Sequence, residues 1–229
     1  MIFSILVLFL VGLSWGTPEK IPSERWMSFL SGETRLNRIS IPGTHDSGAR
    51  GATVLRIFPS WSFANTQTFT IEEQLQHGVR FFDIRLKING DRMGIYHGPV
   101  WYGWLDDALK DFGDFLTANS DEVVFMMYKH EGGVGSNSFK TNFATNFRNH
   151  YQNQFETNQY HDCNDTGTDN DHCQIPKLKD VRGKLILINK EGHGTLGTRY
   201  FNSEDNWNLR ESDSQYARFG CREDCRRVT

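Results

Sequence analysis

Thr70-Ile-Glu-Glu-Gln-Leu-Gln-His-Gly-Val-Arg-Phe-Phe-Asp-Ile-Arg85 holds a helix start and a strand in one stretch. Thr70 stands three residues before Glu73, the spacing of a capping box, so the chain opens a helix there. Residues 79–86 then run as an apolar, strand-like segment. Asp83 and Arg85 interrupt it two residues apart, so they face one side of the strand. A buried Asp or Arg without a partner is costly. That side therefore belongs at the open end of the fold, where loops gather.

Outward from this stretch the same alternation recurs. Residues 38–41, 93–96, 123–128 and 184–188 read as further strands, several of them continuously apolar, as strands buried on both faces tend to be. Residues 105–116 place apolar side chains at 105, 108/109, 112 and 115/116, a helical stripe. Residues 138–151 repeat Phe at 139, 143 and 147, again one helical face. Strands alternating with helices predict an α/β fold on a mainly parallel sheet, closed or open. Nearly all these aromatics are ordinary core.

The bulk numbers set limits. A chain of 229 residues suits one domain, read here from residue 17 to 229, and 38% hydrophobic content with 17 Phe supports a packed core. A net charge of −3 gives no electrostatic footprint for nucleic acid. The first sixteen residues carry no charged side chain and an apolar run at 2–13, too short to span a bilayer core of about 30 Å. They read as a signal peptide, cleaved after Gly16, on a secreted protein. Export favours disulfides over thiolate metal ligands for the four cysteines. The simplest pairing is Cys163 with Cys173 and Cys221 with Cys225, although His161 and His172 leave a zinc reading to weigh. Asn164-Asp165-Thr166 is a glycosylation sequon.

Three polar clusters end strand-like runs, where parallel α/β folds collect ligand-binding groups. They are Ile41-Pro-Gly-Thr-His45-Asp46-Ser47, the Asp83/Arg85 pair, and Ile95-Tyr96-His97-Gly98. Two histidines, an arginine and carboxylates suit a phosphodiester. One His takes a proton from an attacking hydroxyl and the other protonates the leaving oxygen. Arg matches phosphoryl oxygens with its fork. An Asp beside a His fixes its tautomer. Each signal alone is weak: a loop His is usually a surface or packing residue, and Asp-x-Arg on a strand is often a structural ion pair.

Residues 36–47, 70–85 and 96–98, in that order and spacing, resemble the motifs of the phosphatidylinositol-specific phospholipase C X domain. The resemblance extends more loosely through 123–131 and 182–190, and so covers roughly 26–190. It implies a distorted TIM-type barrel and cleavage of phosphatidylinositol, or of GPI-anchor lipid at a membrane surface, to diacylglycerol and a cyclic inositol phosphate. On that likeness His45 is the general base and His97 the general acid. Asp46 supports the leaving-group side, Arg85 holds phosphate and Asp83 orients the site. Lys129 and Lys190 lie where the family places basic groups near inositol or phosphate. Calcium-dependent relatives carry an acidic ligand at position 85. Arg85 there implies the metal-independent, bacterial-type branch, with no cofactor; separately, the protein is expected to be a monomer.

After Lys190 the sequence turns polar, and the family's late carboxylate and inositol-stacking aromatic have no secure match; Trp207 and Tyr216 are the candidates for the aromatic. The barrel is therefore expected to be open or abbreviated at its C-terminal end. Two other readings follow. One is a weak or inactive lipid- or glycan-binding protein on this scaffold. The other is a metal-dependent phosphodiesterase, which Arg85 argues against.

Overall fold

The computed structural model describes residues 21–51, 64–90, 92–132, 145, 176–190 and 198–199. The cysteines, the leader-like segment, the Phe-rich segment 138–151 apart from residue 145, and Trp207 and Tyr216 lie outside these residues. No described helix is long and apolar enough to cross a membrane.

The fold is α/β, of the TIM-barrel type, and the described strands form one open sheet. Its centre is β2 (Phe81–Asn89). β1 (Gly43–Thr44) runs parallel to its amino half, with Gly43 opposite Phe81. β5 (Val124–His130) runs parallel along its other edge, followed by β6 (Leu185–Asn189) and β7 (Thr198–Arg199). β3 (Arg92–His97) and β4 (Val100–Trp104) fold back antiparallel on its carboxyl half.

Side-chain parity along β2 sorts the two faces. Phe82, Ile84 and Leu86 enter a core covered by α1 (Ile71–Gln76) and α2 (Leu105–Ala118). The predicted stripe on α2 is the buried one: Leu105, Ala108, Leu109, Phe112, Phe115 and Leu116. Phe112 meets Phe82 edge-on, with ring centroids 4.9 Å apart. The capping box of α1 is present, with the Glu73 N–H on the Thr70 hydroxyl at 3.1 Å and the Thr70 N–H on the Glu73 carboxylate at 2.7 Å. Such a cap stabilises a helix by about 1 kcal/mol.

The other face changes character along its length. Phe81, Phe125 and Ile186 pack at its amino end against Met27, Leu178 and Val181, the last two on the short helix α3 (Leu178–Val181). One pleat further come Asp83, Met127 and Ile188; one further still, Arg85 and Lys129 stand side by side in register. An apolar floor thus supports a charged rim at the carboxyl ends of the strands, as the Asp83/Arg85 spacing predicted.

Several elements differ from the sequence reading; the short α3, β7 and the 3-10 helix Ser23–Phe29 are additions to it. Residues 38–41 do not form a strand; a 3-10 turn occupies Leu36–Arg38, and Ile39 and Ile41 lean on the second core. Pro42 has no N–H to donate, and its carbonyl accepts from Arg80 and Phe81 at 2.9 and 3.0 Å, so the ladder begins only at Gly43. β4 was not foreseen. It forms because Gly98 turns the chain with φ +57° and pairs Val100 with His97.

Candidate active site

The β1 turn delivers the first histidine. Ser47 and Asp83 lock it to β2 reciprocally: the Ser47 N–H donates to the Asp83 carbonyl at 2.8 Å, and the Asp83 N–H donates to the Ser47 hydroxyl at 2.9 Å. Buried Gln74 of α1 accepts from the Thr44 hydroxyl at 2.7 Å and donates to the Ser47 carbonyl at 2.9 Å, so both flanks of His45-Asp46 are tied to one side chain. Asp46 itself takes a left-handed conformation, φ +46°, which Asp tolerates better than most residues. That turn drives its carboxylate inward, to 1% exposure, and leaves His45 with 47% of its side chain open.

Five predicted residues form one cluster. His45 Nδ1 lies 3.2 Å from Asp83 Oδ2, and His45 Nε2 lies 3.2 Å from Asp46 Oδ2 and 3.3 Å from Arg85 Nη2. The same Asp46 oxygen lies 3.4 Å from His97 Nε2. Arg85 pairs through Nε with Asp46 Oδ1, and its Nη2 is 3.4 Å from Asp83. Burial pushes the Asp46 carboxyl above its ordinary range, partly offset by the positive charge of Arg85 and the histidines.

The ring nitrogens have distinct duties. His97 Nδ1 is 2.8 Å from the Ala64 carbonyl, which only accepts, so Nδ1 carries a proton and Nε2 faces Asp46. The Tyr102 hydroxyl donates to that carbonyl at 2.6 Å, and burial with the nearby Asp46 charge pushes its pKa up to about 12. On His45, an Nδ1 proton satisfies Asp83 and leaves Nε2 as the acceptor beside Arg85.

Register places Lys129 next to Arg85, and Lys190 follows β6 with its N–H on the Tyr128 carbonyl at 3.1 Å. Ala64, Tyr102, Gln74 and Glu131 were not foreseen. Glu131 could have been, since it continues the two-residue period of Lys129. His45, Asp46 and Asp83 also offer donor atoms within 4.8 Å of one another, a spacing a small cation could bridge. The Arg85 guanidinium, in contact with all three, supplies positive charge at that point.

Two histidines sharing a buried carboxylate beside an arginine, at the carboxyl rim of a mainly parallel sheet, are an arrangement suited to acid–base chemistry on an anionic group. A family model described as "Phosphatidylinositol-specific phospholipase C, X domain" matches residues 52–191. The chain belongs to that family. His45 and Asp46 lie just ahead of the matched segment. Over 184 residues the chain is 33% identical to the 1-phosphatidylinositol phosphodiesterase of Listeria monocytogenes, covering 77% of this chain and 52% of that protein. The Staphylococcus aureus enzyme of the same name is 35% identical over 179 residues, 77% of this chain and 54% of that one. The solved phosphatidylinositol-specific phospholipase C of Listeria superposes with a TM-score of 0.57 at 34% identity, covering 74% of this chain and 57% of that one. A variant of the Staphylococcus aureus enzyme superposes at 0.59 and 29% identity, covering 79% and 60%. The chain spans about half the length of the curated relatives it matches.

Proposed function

We propose that the chain is a secreted phosphodiesterase that cleaves phosphatidylinositol, or the phosphoinositol of a GPI-anchor lipid, by histidine acid–base catalysis without a metal. The observation that carries this is the shared oxygen of Asp46, which lies within 3.4 Å of Nε2 on both histidines while Arg85 holds the other oxygen.

In this reading His45 Nε2 removes the proton from the inositol 2-hydroxyl, and Asp83 steadies the resulting imidazolium through Nδ1. The freed oxygen bonds to phosphorus, closing a cyclic phosphodiester. The phosphorus–oxygen bond to diacylglycerol breaks, and that oxygen takes the proton from His97 Nε2. Asp46 Oδ2, 3.4 Å from His97 Nε2, faces the nitrogen that passes the proton on. The Arg85 fork neutralises charge on the phosphoryl oxygens. Lys129 and Lys190 extend the positive rim toward inositol and phosphate. Disulfides Cys163–Cys173 and Cys221–Cys225 complete the picture of an exported protein.

The test is turnover of phosphatidylinositol vesicles by the purified chain, with and without EDTA, beside His45→Ala and His97→Ala. Each variant is expected to lose about 10²–10⁴ in rate, and EDTA to change nothing. Equal turnover by all three proteins would end the proposal, as would an EDTA loss restored by calcium.

A further inference from the structure

Gly98 follows His97 directly, and both polar groups of its backbone are gripped by charged side chains. Its N–H donates to Glu131 Oε1 at 2.7 Å, and its carbonyl accepts from Lys87 Nζ at 2.6 Å. The Lys87 ammonium also lies 5.0 Å from the ring centroid of Tyr96, the residue before His97. Lys87 stands two residues after Arg85 on β2, hence on the same face. Glu131 follows β5, its N–H fixed to the Leu86 carbonyl at 2.9 Å. Its second oxygen, Oε2, lies 3.5 Å from Arg85 Nη1. The two rigid strands that carry the phosphate-facing charges therefore reach across to the hairpin tip that carries His97.

We propose that Glu131 and Lys87 are positioning residues that clamp the Gly98 peptide and so aim His97 Nε2 at the leaving oxygen. The proposal rests on the reading of His97 as general acid. The ring meets the Ala64 carbonyl at Nδ1 and the Asp46 carboxylate at Nε2. Those contacts orient the ring but do not hold its backbone, and the clamp does. Charge-assisted bonds to a turn peptide are the stronger kind. Glu131 has a second duty, since it also holds Arg85. Among the described residues, the Lys87 ammonium is placed on the Gly98 carbonyl and the Tyr96 ring and not on Arg85, which separates the two effects. Misplacing a catalytic group by about 1 Å can cost ~10²-fold in rate.

The experiment compares two leaving groups on the full chain. Phosphatidylinositol expels an alkoxide that needs a proton; an aryl inositol phosphodiester expels a phenolate that does not. Lys87→Met and Glu131→Ala are expected to lower kcat on phosphatidylinositol by about 10–10²-fold. On the aryl substrate, Lys87→Met should lose less than about threefold, and Glu131→Ala somewhat more through Arg85. Glu131→Gln keeps an oxygen for the Gly98 N–H and should recover most of the phosphatidylinositol rate. His97→Ala is run alongside and should show the same selectivity, larger. If His97→Ala hits both substrates equally, or the unaltered chain turns over neither, the acid assignment fails and the clamp with it. If His97→Ala is selective but Lys87→Met is not, or costs nothing, the clamp alone is overturned. Thermal melts confirm that each variant is folded, and Glu131→Gln, being isosteric, keeps the test readable if Glu131→Ala is not.

Discussion

Arg80, just ahead of β2, and Arg85, at the middle of that strand, meet opposite surroundings. Arg80 is fully buried beneath the sheet. Its Nε donates to Glu122 at 2.9 Å, Nη1 to the carbonyls of Leu75 and Val79 at 2.7 and 2.8 Å, and Nη2 to that of Glu24 at 2.8 Å. Phe115 covers the guanidinium at 4.5 Å, and the second Glu122 oxygen accepts from the Ser28 N–H at 3.0 Å. One cation meets one anion, and the spare valences are filled by backbone. Arg85 instead faces three carboxylates and a half-open histidine. Its surplus of negative charge, including a buried Asp46 whose ionisation burial opposes, is costly for folding. A closed, neutral ion pair is architecture; an open, unbalanced one is the better candidate for binding an anion and moving protons.

The comparison breaks first at Arg80. Arg80→Met leaves Glu122 buried and uncompensated, and should cost about 3–5 kcal/mol. The measurement is urea unfolding, with turnover per folded molecule retained. Adding Glu122→Leu should recover part of the loss. A stable Arg80→Met would show that this pair does not tie residues 23–28 to the floor. At the second arginine, Arg85→Lys keeps the charge but loses the fork. It should lower kcat by about 10² while shifting stability far less than Arg80→Met does. Equal stability losses at both arginines would erase the distinction between them.

The smallest effect has the opposite sign. Burial raises the folded pKa of Asp46 above its ordinary 3.8, so the folded state holds that proton more tightly than the unfolded chain. The ionised carboxylate then costs stability at pH values above that range. Asp46→Asn should raise Tm at neutral pH, by about 1 kcal/mol of stability, while activity falls. The gain should shrink as the pH falls through the raised folded pKa and be gone below the ordinary 3.8, where the carboxyl is neutral in both states. A lower Tm at neutral pH would mean that Arg85 and the histidines more than offset the burial of that charge.

Local signals in the sequence were legible in proportion to their range. The Thr70/Glu73 cap, the α2 stripe and the common face of Asp83 and Arg85 each depend on residues within a few positions, and each stands as read. The site cluster was legible through three ordered motifs, since composition and spacing alone left it weak. Contacts over long separations were not. Arg80 finds Glu122 42 residues away, and His97 finds the Ala64 carbonyl 33 residues away, a backbone group that no residue type announces. The strand read at 38–41 failed because apolar residues beside Pro42 fill a core without joining a ladder.

The most direct test of the two-histidine account is phosphorus NMR of the products formed from phosphatidylinositol in EDTA. The account predicts a cyclic inositol phosphodiester signal from the unaltered chain, and its loss with either His45→Ala or His97→Ala. Release of an acyclic inositol phosphate with no cyclic intermediate, or an undiminished cyclic signal from either variant, would contradict it.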